Sequence, residues 1–596
     1  ESLAAPRRSR AGATHQVAPT AFGLGNLGFF AAARRYRLAM ARAHLADLAR
    51  VADRLATARG KADRVRLIAD YLRGIDPATA RFAVRLLAGR PLPETAGRRL
   101  ALGGRAVEDA LRLAGVVDGV AAWVGTSDFG DAVAQRTPDC PRNPSSLDLG
   151  ELQRTFEAMA ELRGKGSRSG RIEHLAAILE RCAPAEAKLV VKAVLGDMRH
   201  GVQEGLLLDA LAEVGGIERE RVSRANQKLG DLGRLAYLVC RSPEGLERVG
   251  VEVFRPLKPM LAQSASAVSD AFERMEGRLA LEFKLDGARV QVHRSGDEVR
   301  LYSRRLQDVT ASLPDVAEQV RRESRMREGI LEGEVIAVGD GVPLPFQDLM
   351  RRFGRSRDIE QAIAAVPVQL HLFDALAVDG EPLVDCTAAE RWDRLRAAAG
   401  DLRLVARVVP WNRIEAERFY ENALERGHEG VMAKSLSAPY LPGNRGSHWL
   451  KVKRNMSLDL AIIAAEWGYG RRSRWLSNYH LAARDQASGE LVAVGKTFKG
   501  PTDRLFAELT ERMQELATKQ VGGTVHVRPE VVVEVRFDDV QRSPRYPGGF
   551  ALRFARIVRV RDDKQTSQVD SLDAVRAAVR HASREDEADE PTRCAG

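Results

Sequence analysis

The sequence predicts a multidomain chain: an all-α N-terminal half, an α+β middle domain and a small β-barrel near the C-terminus. Three observations predict it. The chain has 596 residues, too many for one hydrophobic core. Apolar residues recur at helical spacing up to about Leu238, and from about Leu279 they alternate at the two-residue period of strands. A further group of strands, interrupted by one helix, follows Met456.

Residues 1–30 carry arginines and almost no acid; a disordered leader is expected, with a transit peptide as the alternative. Residues 31–253 read as a helical domain. In Arg171–Cys182 the apolar residues Ile172, Leu175, Ala176, Ile178, Leu179 and Cys182 fall on one helix face. Similar runs occupy Ala43–Leu72, Ala187–Leu195 and Leu206–Val214. The stretch Thr126–Asp148 is rich in Pro, Ser, Asp and Gly and reads as a linker. Between the helices lie basic clusters, Arg163, Lys165 and Arg168 in one and Arg199 in the other. They fit solvated loops as well as phosphate contacts.

Residues 254–454 read as the α+β domain. Strand signals stand at Val299–Ser303, Ile330–Val338, Val368–Phe373 and Trp449–Lys453, with helices at Asp315–Arg325 and Glu415–Arg426. Residues 455–575 carry strands at Ala461–Glu466, Leu491–Lys496, Val531–Phe537 and Arg556–Arg561, and a helix at Asp503–Leu516. Several strands and one helix in so short a span suit a barrel of the OB type. Residues 576–596, with the run Glu585–Glu590, are expected to form a disordered acidic tail.

A net charge of +11 favours a polyanionic partner. The five cysteines lie far apart with no C-x-x-C pair, which argues against a structural zinc site and a disulfide framework and for a reducing, cytoplasmic compartment. No apolar run approaches the roughly 18 residues a membrane helix needs.

Strand alternation makes Leu281–Asp286 informative, because it places Glu282, Lys284 and Asp286 on one face and Leu281, Phe283 and Leu285 on the other. Gly287 then permits a tight turn and close ligand approach. Taken alone, K-x-D-G also fits a surface strand with a salt bridge. Lys451 and Lys453 project together from Trp449–Lys453, and like charges on one strand face suit a phosphate, or a basic edge strand. Glu332 and Glu334 share a face of another strand, and Glu429 precedes the apolar Val431–Ala433. Carboxylates beside phosphate-binding lysines suggest Mg2+.

Read in order, these pieces resemble the ATP-dependent DNA ligases of the lysine-nucleotidyltransferase superfamily. The matching segments are Lys284–Gly287, Tyr302–Arg305, Leu331–Glu334, Leu372–Asp374, Glu429–Lys434, Lys451–Lys453 and Arg561–Lys564. The approach Phe254–Ala262 is similar to the family's entry to its catalytic domain, and Arg163–Asp209 resembles the helical DNA-binding domain of archaeal and eukaryotic replicative ligases.

The resemblance implies a helical DNA-binding domain, an adenylating nucleotidyltransferase domain and an OB-fold domain. It implies Lys284 as the nucleophile that takes AMP from ATP. Glu282 is expected to read the adenine amino group and Phe373 to stack on the base. Arg289 and Arg304 are expected to contact ribose or a 5′-phosphate, Glu334 and Glu429 to hold ribose or Mg2+, and Arg445, Lys451 and Lys453 the phosphates. Arg561 and Lys564 are expected to orient pyrophosphate when the barrel domain closes about a hinge near Lys453–Ser457. Lys451, Lys453 and Mg2+ should disfavour the Lys284 ammonium, against the carboxylates around it.

The implied partner is nicked double-stranded DNA, in replication, repair or recombination; a sliding clamp is left open, and a monomer is expected. An RNA ligase or capping guanylyltransferase is the nearest alternative, and Glu282 with the helical half favours the DNA ligase. An NAD-dependent ligase lacks support without a cysteine cluster for zinc. A catalytically dead nick-binding protein is disfavoured by the presence of Lys284, Glu334, Glu429, Lys451 and Lys453 together.

Overall fold

The structure, a computed structural model, describes residues 43–93, 98–116, 128–137, 147–339, 341–344, 346–353, 358–454, 456–468 and 472–579. Local chemistry starts and stops the helices of the first half. Asp76, Asp128, Asp148 and Asp231 accept backbone N–H groups at helix N-termini. Gly196, Gly216 and Gly230 end helices in the left-handed region. Among the described residues, eleven α-helices between Leu45 and Arg241 bury one core that includes Phe82, Phe156 and Leu211.

One helix, Phe129–Arg136, lies inside the stretch expected to be a linker. Its cap Asp128 pairs with Lys192 at 2.8 Å, a tertiary contact that Pro- and Gly-rich composition does not reveal. The expected leader lies outside the described residues. At the other end, helix Leu572–Ala577 runs into the segment expected to be a tail, because Val575 is buried in the barrel core. Residues 580–596 lie outside the described ones.

The middle domain is built on two sheets. The first orders β1 (Leu261–Ser264), β9 (Arg445–Lys453), β8 (Gly430–Ser435), β2 (Leu279–Phe283) and β7 (Arg407–Val408). The second orders β4 (Glu298–Ser303), β3 (Ala288–Ser295), β5 (Glu328–Gly339) and β6 (Val368–Val378), with short strands added at Val342–Pro343 and Glu381–Pro382. Each sheet packs an apolar face, around Leu281 and Leu450 in the first and Val292 and Leu372 in the second. The C-terminal barrel winds β10 (Met456–Trp467), β11 (Leu476–Arg484), β12 (Leu491–Thr497), β13 (Ala517–Val521), β14 (Thr524–Val527), β15 (Val532–Phe537) and β18 (Arg556–Val560) into one sheet. The pair β16 (Asp539–Arg542) and β17 (Phe550–Arg553) stands beside it. Helix Asp503–Glu515 covers it through Phe506, Leu509 and Met513.

A buried polar network ties the entry segment to the second sheet. The Phe254 N–H donates to His293 Nδ1 at 2.9 Å, and His293 Nε2 lies 3.0 Å from Gln291 Oε1. The Leu257 N–H donates to Gln291 at 2.8 Å, and Gln291 Nε2 donates to Glu332 at 3.1 Å. His293 is fully buried, and because its Nδ1 accepts a backbone proton, only the neutral ring fits. Burial, with Arg300 nearby, pushes its pKa down to about 3. The folded value is thus below the ordinary 6.5, so its contribution is complete above about pH 6.5 and is lost as pH falls toward 3. Urea titrations at pH 7 and pH 5 should show the stability loss shrinking by about 2 kcal/mol in His293→Gln. An unchanged loss would mean that the ring charges without cost.

Candidate active site

Lys284 sits where β2 leaves the first sheet. Its N–H donates to the Gly430 carbonyl at 2.9 Å, and the Glu429 N–H donates back to the Lys284 carbonyl at 3.1 Å. The ladder therefore runs one residue past the strand proper and brings Lys284 and Glu429 together. Lys284 Nζ lies 2.6 Å from Glu429 Oε2, and Lys453 Nζ reaches the same oxygen at 2.8 Å. Gly430 holds φ +137°, and a Cβ there would lie 2.1 Å from the Val452 carbonyl, so only glycine lets β8 and β9 approach this closely. Gly287 serves a packing purpose: a Cβ on it would meet the Val335 carbonyl of β5 at 2.3 Å.

Three carboxylates and three lysines crowd one small volume. Burial acts to lower the Lys284 pKa, but Glu429, with Glu334 and Asp286, outweighs it and holds the amine above its ordinary value. Lys451, Lys453 and Mg2+ are expected to favour the neutral amine against the carboxylates; among the protein's own groups the carboxylates prevail, led by the contact ion pair at 2.6 Å. Burial alone would raise Glu429, yet Lys284 and Lys453 hold it well below the usual carboxylate range. Burial raises Glu334 to about 7 against the pull of Lys284 and Arg289. Asp286 rises to about 6 through burial and the Glu429 charge. Lys451, lowered by burial and by Lys453, stands half-buried beside them.

Glu332 does not join Glu334 as a metal-facing pair. Its carboxylate accepts from Arg289 Nη2 at 2.6 Å, the Tyr440 hydroxyl at 2.9 Å and Gln291. Arg289 is committed to this network as well, donating to the Met260 carbonyl at 2.7 Å. Its guanidinium lies 5.3 Å from the ring centres of Phe373 and Trp449. Its Nε is buried without a hydrogen-bond partner. Burial and the nearby Arg289 lower the Arg304 pKa, as Arg445 also does. Phe373 is half-buried. Glu282 is buried and pairs with Lys434 at 2.7 Å. The sequence patterns gave no role to Tyr440, Lys434 or Trp449; a buried role for a lone Tyr or Lys leaves no periodic signal.

Arg561 and Lys564 are not brought to this site. Both pair with Asp459 on β10 of the barrel. The barrel instead turns the pair β16–β17 and the residue before it toward the middle domain: Asp538 pairs with Lys453 at 3.0 Å, Gln541 accepts from Gln347 at 2.9 Å, and Arg553 lies 3.8 Å from Asp286. Of the expected hinge, Lys453 and Met456 end and begin strands β9 and β10; Asn455 lies outside the described residues. Arg163, Lys165 and Arg168 are exposed on or beside the loop before helix Ser167–Leu179, with Arg168 paired to Asp109 at 3.0 Å. Arg199 is exposed and pairs with Asp197 at 2.8 Å. A cleft of about 1260 Å³ opens between the helical half and the middle domain, rimmed by Arg90, Arg98, Arg99, Lys258, Arg304 and Arg305.

Among the described residues no group of three or more His, Cys, Asp or Glu side chains could hold a metal, and no helix is long and apolar enough to cross a membrane.

Comparison with known proteins agrees along the chain. Three family models match: DNA ligase N terminus at residues 44–212, ATP dependent DNA ligase domain at 259–453 and ATP dependent DNA ligase C terminal region at 472–564. "DNA ligase 1" of Korarchaeum cryptofilum is 44% identical over 535 residues, 89% of this chain and 97% of that protein. "DNA ligase" of Thermococcus fumicolans is 41% identical over 541 residues, with the same coverage of 89% and 97%. The solved structure Pmar-Lig_PreS3 shares the fold at a TM-score of 0.52 and 19% identity, covering 86% of this chain and 99% of its own. With identity of this order sustained through the helical, adenylating and OB-type parts, this chain belongs to the ATP-dependent DNA ligase family.

Proposed function

We propose that this protein seals nicks between a 5′-phosphate and a 3′-hydroxyl in duplex DNA, through a lysyl-AMP on Lys284 and then a DNA-adenylate. The observation that carries it is the pairing of Lys284 with Glu429 at 2.6 Å, inside a ring formed by Glu334, Asp286, Lys451 and Lys453. Lys284 Nζ, once it has lost a proton, attacks the α-phosphorus of ATP. The bond to the bridging oxygen breaks and pyrophosphate leaves. Lys451 and Lys453 then face the phosphate charge that develops. AMP passes to the 5′-phosphate of the nick, and the 3′-hydroxyl displaces it.

The residues present fit Mg2+. Glu429 contacts Lys284 at 2.6 Å, with Glu334 and Asp286 close enough to act on the same amine, and one or two carboxylates plus substrate phosphates are the usual Mg2+ environment. Glu334 and Glu429 would hold it. Bound there, it would neutralise phosphate charge and take up the carboxylate charge that favours the Lys284 ammonium. The arginine-rimmed cleft beside Arg304 supports a polyanion lying between the helical half and the adenylating domain, and phosphate contacts would hold it without sequence preference. Arg163, Lys165, Arg168 and Arg199 are proposed to contribute to the same duplex. Arg561 and Lys564 are proposed to act on pyrophosphate after the barrel domain has turned.

Sealing assays on nicked DNA, RNA-containing nicks and blunt ends, each with ATP or NAD, test this reading. Nicked DNA with ATP should be sealed at least about tenfold faster than the others, in keeping with a site that orders the attacking hydroxyl. Sealing confined to RNA ends, or driven by NAD, would overturn it.

A further inference from the structure

Glu282 does not stand alone in its pocket. It is 3% exposed, and its two oxygens face different cations. Lys434 Nζ lies 2.7 Å from Oε2, and Arg407 Nε lies 3.8 Å from Oε1. Both cations are fixed by other contacts. Lys434 also donates to the Phe373 carbonyl at 2.9 Å and lies 4.7 Å and 4.5 Å from the ring centres of Phe373 and Trp449. Arg407 stacks over Trp392 at 4.2 Å. The neighbouring Arg391 is committed elsewhere, to Asp374 and to the Cys386 and Ala438 carbonyls.

We propose that Lys434, assisted by Arg407, is a positioning residue that holds the Glu282 carboxyl in one orientation with its oxygens committed as acceptors, and thereby sets the preference for a purine bearing a 6-amino group. This rests on the reading of Glu282 as the group that meets that amino group. The reasoning is chemical. An ionised carboxylate only accepts hydrogen bonds, with about four lone-pair sites on two oxygens. Lys434 occupies one site and fixes the plane of the rest, so a base edge must offer a donor. Burial already raises the pKa of this carboxyl against the pull of Lys434 and Arg407, so taking the cation away drives it further toward its neutral acid. A neutral acid both donates and accepts, and it can meet a ring nitrogen or keto oxygen as readily as an amino group. The contact of Lys434 with Phe373 and Trp449 couples the same cation to the aromatic wall of the pocket.

The experiment compares single-turnover adenylation of the full-length protein by ATP and by purine riboside triphosphate, which is ATP without the 6-amino group. The parent protein should prefer ATP by about 10- to 100-fold in kcat/KM, the range of a hydrogen bond to a charged group. Glu282→Ala should bring the ratio close to one. Lys434→Met should do the same with most of the change in KM, whereas Lys434→Arg keeps the cation and should stay within about threefold of the parent ratio. Lys434→Gln retains a donor for the Phe373 carbonyl without the charge, and it gives the same collapse where the Met variant does not fold. If Glu282→Ala leaves the ratio intact, the reading of Glu282 fails, whatever Lys434 does. If Glu282→Ala collapses the ratio while Lys434→Met and Lys434→Gln slow both nucleotides equally, Lys434 is structural only and the proposal is overturned.

Discussion

Lys284→Ala will take up no covalent AMP from ATP, a fall of roughly 10⁴-fold or more, as expected when a covalent nucleophile is removed. Neither neighbouring lysine can replace it. Lys453 is held between Glu429 at 2.8 Å and Asp538 at 3.0 Å, and Lys451 lies across β8 from the end of β2. Lys284→Arg will fail equally, because a guanidinium stays protonated and is no nucleophile. Yet Lys284→Ala should still seal a nick whose 5′ end already carries AMP, since that step needs the phosphate-facing cations and not the amine. Labelling with α-labelled ATP and a gel assay on pre-adenylated nicks read the two results separately. Label persisting on Lys284→Ala would move the nucleophile elsewhere.

Asp374→Ala will cost about 3–5 kcal/mol of stability, the range for breaking a buried ion pair from one side. Asp374 is 3% exposed and Arg391 fully buried, and they meet through two hydrogen bonds, at 2.7 Å and 3.1 Å. The alanine leaves a guanidinium inside the domain with carbonyl oxygens and the Tyr440 ring as partners but no carboxylate bonded to it. Replacing both by leucine should recover most of the loss, because a well-packed apolar pair avoids the desolvation of two charges. Urea unfolding of the intact chain, followed by loss of adenylation, measures both variants. A single-variant loss under about 1 kcal/mol would show that water reaches Arg391 and that the pair is not dry.

What could be read from sequence and what could not divides along physical lines. Period-two and period-3.6 patterns are local, so Ile330–Val338 became β5 at Glu328–Gly339 and Asp503–Leu516 became the helix Asp503–Glu515 with small changes at the ends. The same patterning brought Glu282 and Lys284 to one face, which the structure keeps through their pairs with Lys434 and Glu429. Contacts between distant segments leave no such trace. The commitment of Glu332 to Arg289 and Tyr440 spans more than a hundred residues and removes it from the metal-facing set that alternation had suggested. Helix Phe129–Arg136 forms in a turn-rich stretch because Lys192, far along the chain, pairs with its capping aspartate. The protonation bias of Lys284 depends on a distance of 2.6 Å that no spacing encodes. Asp538 shows the same limit, since only the domain arrangement lets it reach Lys453.

The central claim is that one lysine carries AMP from ATP to a nicked duplex. Full-length protein loaded with α-labelled ATP and Mg2+, freed of nucleotide and then given nicked DNA follows that AMP directly. The expected result is an acid-labile label on the peptide containing Lys284, which leaves the protein on addition of the duplex, appears on the 5′-phosphate at the nick, and is released as the strand is sealed without further ATP. Label on a different residue, or label that stays on the protein while nicked DNA is present, would contradict it.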